Sequence, residues 1–111
     1  MNIAVLGAGA WGTAISVHLA ARHKVTLWAR NAAQAAAMHT DRHNSRYLAG
    51  VALPANVAVS ADLGAATHGA TLVLIAVTTA GLRETLRRLT TEGCKAPLLC
   101  LCKGFERENA L

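Results

Sequence analysis

In the stretch VLGAGAWGTA, residues 5–14, glycines stand at Gly7, Gly9 and Gly12. An apolar run, NIAVLG, leads into them, and an alanine-rich segment follows at once. The run reads as a strand buried on both faces, as in a parallel sheet. From Trp11 to Arg22 the pattern becomes helical, with Ile15 and Leu19 spaced to line one face. A buried strand that turns through three glycines straight into a helix leaves few folds open. The helix must cross back over a sheet that the strand belongs to.

The rest of the chain repeats that alternation. KVTLWAR is a second strand, rich in β-branched and aromatic residues. Asn31 caps the next helix, with Gln34 as its capping-box partner, and the helical pattern fades near Asp41. Residues 42–56, RHNSRYLAGVALPAN, read as a long loop containing Gly50 and Pro54. VAVS is a short strand, and Ser60 caps a short helix through ADLGAATH. TLVLIAV is the clearest strand, and Thr79 caps a helix in which Leu82, Leu86 and Leu89 share a face. LLCLC is a fifth core strand, followed by Lys103 and Gly104. The expected fold is a doubly wound parallel α/β sheet, a single domain over residues 1–111.

Composition narrows the function classes. With 53% hydrophobic and 15% charged residues, the chain is too apolar for disorder. Its net charge of +5 suits an anionic ligand. The basic residues are scattered without interleaved aromatics, which argues against nucleic acid as a partner. The apolar runs are too short or too interrupted for a signal peptide or a membrane span. Three cysteines, an odd number, argue against a disulfide framework. Cys94, Cys100 and Cys102 are expected as buried reduced thiols, which points to the cytoplasm. The five histidines offer no ligand set for a metal.

The glycines satisfy G-x-G-x-x-G between a strand and a helix, the setting that gives this motif its meaning. Gly7 permits a sharp turn, Gly9 leaves room for a pyrophosphate against the backbone, and Gly12 lets the helix pack closely on the sheet. The helix N-terminus offers amide hydrogens and a positive dipole end to phosphates. The competing reading is a glycine turn that serves packing alone. Past the second strand, an acidic residue would hold the adenine ribose of NAD. None lies between Gly12 and Asp41, and Arg30 stands eighteen residues after Gly12. An arginine there forks onto a ribose 2′-phosphate, so NADP(H) is expected to be accepted and favoured over NAD(H). Lys103, at the end of the fifth core strand, is placed to meet a phosphate or a nicotinamide-side oxygen.

Taken together, VLGAGAWGTA, VTLWARN, NSRYLAGVALPANV, TLVLIAV and CKGFE resemble bacterial NAD(P)-dependent glycerol-3-phosphate dehydrogenase, in the family's order and across nearly the whole chain. The resemblance implies a Rossmann-type dinucleotide-binding domain and, in the family, a second helical domain that completes the substrate site. It implies reversible hydride transfer between NAD(P)H and dihydroxyacetone phosphate, giving sn-glycerol 3-phosphate for phospholipid synthesis, in a cytoplasmic enzyme that is a homodimer at full length. Carried over by position, it implies cofactor contacts at Ala10, Trp11, Arg30 and Tyr47, beside Gly7, Gly9 and Gly12. Lys103 would lie where cofactor and substrate meet, opposing charge on the carbonyl oxygen. Two alternatives stand beside this reading: another NADP-linked reductase such as ketopantoate reductase, and a non-catalytic nucleotide-sensing module.

Three departures from the family's pattern stand out. Ala10 replaces a frequent serine, VTT at Val77–Thr79 replaces V-P-S, and Cys102 stands where threonine often precedes the lysine. The family also continues well past Leu111, with its catalytic lysine there. The chain is therefore expected to be a truncated cofactor half, carrying no catalytic residue of its own. Alone, it is expected to bind nucleotide and turn over little substrate.

Overall fold

The computed structural model describes residues 1–44 and 48–101. In chain order the elements are β1 (Asn2–Leu6), α1 (Ala10–Leu19), β2 (Lys24–Trp28), α2 (Ala32–Asp41), β3 (His43–Asn44), β4 (Leu48–Ala52), β5 (Val57–Ser60), α3 (Leu63–Thr67), β6 (Leu72–Ile75), α4 (Thr79–Thr91) and β7 (Leu98–Cys100). Five strands form one parallel sheet in the order β5-β2-β1-β6-β7. The chain enters at the centre, winds out through β2 to β5, then returns to pair β6 with the other side of β1. Winding reverses between β1 and β6. Connections leaving their carboxyl ends pass to opposite faces and open a crevice there.

Alternation within the strands divides the core into two layers. Ile3 and Val5 of β1 pack with Val25 and Leu27 of β2, under Ala35 and Met38 of α2 and the flank of α1. Ala4 and Leu6 pack on the other face with Trp28, Leu63 of α3, Val73, Ile75 and Leu89 of α4. Helices thus cover both faces, which is why β1 reads as an unbroken apolar run rather than an alternating one. The doubly wound parallel sheet is the fold expected from the alternation of apolar runs.

The turn after β1 is built by close approach. Gly7 has φ +117°, a conformation that favours glycine, and a Cβ there would lie 2.6 Å from the Ala76 carbonyl oxygen. Its amide donates to the Trp28 carbonyl (3.0 Å), while Ala76 donates to the Leu6 carbonyl (2.7 Å). These bonds tie the carboxyl ends of three strands together. A Cβ on Gly12 would run into the Gly7 carbonyl. Helix α1 therefore rests almost on the turn, and its buried stripe is Gly12, Thr13 and Ser16. Ile15 and Leu19, expected to form that stripe, are only partly buried at its margin. The closeness set by Gly12 admits small side chains alone, and the Ser16 hydroxyl is satisfied by donating to the Gly12 carbonyl (2.8 Å).

Several local expectations are corrected. Residues 42–56 contain an antiparallel pair, β3 with β4, rather than a long loop. Arg42 adopts a left-handed conformation (φ 57°) that ends α2, and its guanidinium donates to the Pro54 and Val57 carbonyls (2.6 and 2.7 Å). A strand of two residues, His43 and Asn44, carries too little periodicity to be read from the sequence. The cap of α3 is Asp62, which accepts from the Ala65 amide, not Ser60. The Ser60 hydroxyl instead accepts from the Asp62 amide (3.0 Å), a turn at the end of β5. Thr79 is the first helical residue of α4, and Thr78 precedes it as the cap position. The buried face of α4 holds Thr85 and Leu89, and Leu86 is exposed. The helix is rotated so that Thr85, its hydroxyl bonded to the Gly81 carbonyl (2.9 Å), faces inward. Cys94, in the connector after α4, is half-buried, and Cys100 is exposed because β7 lies at the edge of the sheet among the described residues, where Leu98 and Leu99 are also 46% and 50% exposed. Cys102 lies outside the described residues.

Gly12→Ala tests the close approach. In an ordinary helix interior that change stabilises by about 1 kcal/mol. Here it is expected to destabilise by about 3 kcal/mol, because backbone must move to admit the methyl group. Urea unfolding followed through the buried Trp28 indole reads the sign directly.

Candidate functional site: a cleft at the glycine turn

A cleft of about 550 Å³ opens at the carboxyl ends of β1, β2 and β6. One wall is the turn itself, Gly7, Ala8 and Gly9. Facing it are Ala76, Val77 and Thr78, which lead from β6 into α4, and Gly81 and Thr85 of α4 itself. The remaining side comes from Trp28, Arg30, Asn31 and Gln34, at the end of β2 and the start of α2. This is the crevice that the reversal of winding opens.

Gly9 differs from its two neighbours in the motif. Its φ is −79°, open to any residue, and a Cβ there would meet nothing within 4 Å. Neither backbone strain nor packing inside the chain calls for glycine at that position. What the missing side chain leaves is a bare patch of main chain on the wall of the cleft. Gly9 is also the cap position of α1. The first intrahelical bond runs from the Thr13 amide to the Gly9 carbonyl (3.0 Å). The amides of Ala10, Trp11 and Gly12 therefore precede the helical ladder and lack helical acceptors.

The electrostatics have one sign. The N-terminal ends of α1 and α4 both bear on the cleft, and neither has an acidic residue in its first turn. Each contributes the positive end of a helix dipole. Arg30, exposed at the rim, is the one charged side chain among the described residues lining the cleft. Such a site suits an elongated anion with its charge split between the turn and the rim.

The expected site residues fall into three groups. Gly7, Gly9 and Arg30 line the cleft. Ala10, Trp11 and Gly12 stand in the first turn of α1, with Trp11 50% exposed. Tyr47 and Lys103 lie outside the described residues. Asn31 caps α2 as expected, its side-chain oxygen accepting from the Gln34 amide (2.9 Å). The Gln34 side chain does not close a capping box. Its Nε2 donates instead to the Ala8 carbonyl (3.0 Å), linking α2 to the glycine turn. Asn44 of β3 donates to the same carbonyl (2.7 Å), a contact with no signal in the sequence because β3 lies in the segment read as a loop. Ala76, Gly81 and Thr85 were likewise not legible as site residues, since each reads as ordinary helix or strand-end sequence. Among the described residues no three His, Cys, Asp or Glu side chains come together as a metal site would require. Among them, too, no helix is long and apolar enough to cross a membrane.

Comparison with known proteins agrees with this geometry. Residues 2–111 match the family model described as NAD-dependent glycerol-3-phosphate dehydrogenase N-terminus. The glycerol-3-phosphate dehydrogenase [NAD(P)+] of Methylibium petroleiphilum is 56% identical over 110 residues, covering 96% of this chain and 32% of the relative. That of an Acidovorax strain is 51% identical over 115 residues, covering 100% of this chain and 34% of the relative. Among solved structures, the glycerol-3-phosphate dehydrogenase of Coxiella burnetii superposes with a TM-score of 0.85 at 33% identity, over 93% of this chain and 34% of that one. The chain thus spans about a third of the length of the curated relatives it matches. With a family model matched along almost its entire length, and with the strand, turn and helix that such a match requires, the chain belongs to the NAD-dependent glycerol-3-phosphate dehydrogenase family, in its N-terminal region.

Proposed function

We propose that residues 1–111 form the cofactor-holding domain of an NAD(P)-dependent glycerol-3-phosphate dehydrogenase. The whole protein would carry out reversible hydride transfer between NAD(P)H and dihydroxyacetone phosphate, giving sn-glycerol 3-phosphate. The observation that carries this reading is Gly9, a glycine that the fold itself does not need, set on the wall of the cleft at a helix N-terminus. A bare main chain with unengaged amides fits a diphosphate, which binds by close approach to N–H groups. When bound, the nicotinamide supplies the hydride. The chain's own residues bind and orient. The first turn of α1 receives the diphosphate through main-chain amides, Ala10 and Trp11 included. Thr78 and the start of α4 close the opposite wall.

Arg30 sets the choice of nucleotide in this reading. It stands at the rim past β2, where no carboxylate is available to hold ribose hydroxyls. Its guanidinium suits a 2′-phosphate, so NADP(H) is favoured and NAD(H) accepted. Tyr47 and Lys103 belong to the reading through the family resemblance: Tyr47 as a cofactor contact, Lys103 where cofactor and substrate meet. Substrate chemistry is completed by residues outside this domain, and residues 1–111 alone turn over little substrate. The full-length protein is read as a cytoplasmic homodimer, the cytoplasm being supported by the odd number of cysteines.

Two substitutions test the reading at its two ends. Gly9→Ala is expected to change folding stability by less than about 1 kcal/mol, the scale of an N-cap change. It should weaken NADPH tenfold or more, about 1.4 kcal/mol, by putting a methyl group where the diphosphate lies. Equal NADPH affinity in the variant and the parent overturns the assignment. Arg30→Ala is expected to lower NADPH affinity about tenfold while leaving NADH within about twofold, the loss of one charge-assisted contact. If titrations give both nucleotides the same proportional change, Arg30 does not read the 2′-phosphate.

A further inference from the structure

The bare patch at Gly9 creates a difficulty for the site. The peptide plane between Ala8 and Gly9 can rotate as a unit, because glycine tolerates the φ values that either orientation demands. In one orientation the Gly9 N–H is offered to a bound anion. In the other, the Ala8 carbonyl oxygen would face it and repel it. A trans peptide sets C=O and N–H on opposite edges of one plane, so whatever holds the carbonyl also aims the amide.

Two side chains from distant parts of the chain hold that carbonyl. The Asn44 Nδ2 donates to the Ala8 oxygen at 2.7 Å and the Gln34 Nε2 at 3.0 Å. Together they occupy both lone pairs of the oxygen. The atom of Asn44 facing Ala8 is nitrogen, since a carbonyl only accepts. The same nitrogen donates to the Thr13 hydroxyl at 2.8 Å. Asn44 therefore grips both limbs of the turn, the residue before Gly9 and the helix after it. It is 1% exposed and is not among the residues lining the cleft. No described residue accepts from the Gly9 amide, on the opposite edge of the same peptide plane.

We infer that Asn44 is a positioning residue for cofactor binding: seconded by Gln34, it locks the Ala8–Gly9 peptide so that the Gly9 N–H, rather than the Ala8 carbonyl, meets the diphosphate. The β3–β4 pair has its function here, because it carries Asn44 to the back of the turn. This inference rests on the reading of the cleft as a dinucleotide site.

The test uses the full chain, with two probes. NADPH spans the turn and the rim. Adenosine 2′-monophosphate carries the adenine and 2′-phosphate but no diphosphate, so it engages the rim without the turn. Asn44→Ala should weaken NADPH about tenfold and leave adenosine 2′-monophosphate within twofold. Gln34→Ala, at a half-buried residue of α2 that lines the cleft, should also weaken NADPH several-fold, and it keeps the test valid if Asn44→Ala does not fold. Amide NMR adds a signature that simple destabilisation would not produce. The Gly9 resonance should broaden or double in Asn44→Ala without ligand, and sharpen when NADPH is added. Weakening of both probes alike, or of neither, overturns the positioning role. A parent protein that binds adenosine 2′-monophosphate but not NADPH would instead sink the dinucleotide reading itself.

Discussion

The contact between Gly12 and the Gly7 carbonyl governs this structure. Because α1 is pressed onto the turn, its inner face can carry only Gly12, Thr13 and Ser16. The turn is also pressed onto the exit of β6, where Gly7 takes a positive φ. Those two approaches bring the first turn of α1 and the start of α4 to either side of one crevice. The site is a consequence of how tightly strand and helix are joined, and its recognition elements are largely backbone.

In the proposed reading, that is how a polyanion site forms with Arg30 as the one charged side chain among the described residues lining it. Main-chain amides at helix N-termini are fixed in place by the fold and need no side-chain ordering to act. The rim adds one exposed charge, Arg30, to which the proposed function assigns discrimination between related nucleotides. In that reading, general affinity for phosphate comes from rigid elements, and selectivity from a side chain at the edge. The division also accounts for the role of α2, whose capping residue and first-turn glutamine both line the same cleft.

Much of this was legible in the residues because strands buried on both faces leave unbroken apolar runs, as in IAVL and LVLI. The glycine motif was legible because a sharp turn and close approach together account for glycines at Gly7, Gly9 and Gly12 where such a run passes into a helix. Other features depend on geometry that local sequence does not carry. Leu82, Leu86 and Leu89 and the alternative set Leu82, Thr85 and Leu89 are both helical stripes, and only packing against the sheet selects the second. Ser60 and Asp62 are both good caps, and the end of β5 assigns the helix to Asp62. Cys100 looks like a core residue, yet its strand lies at an edge. Asn44 acts across 36 residues of sequence, from a strand of two residues, and nothing local announces it.

The direct measurement is the amide spectrum of the ¹⁵N-labelled protein titrated with NADPH. If main chain at the glycine turn receives the diphosphate, the largest shifts fall on Gly9, Ala10 and Trp11, with Thr78 and Gly81 following across the cleft. Should those amides stay still while shifts gather elsewhere, for example at the small cleft of Lys24, Thr26 and His68, the account is contradicted.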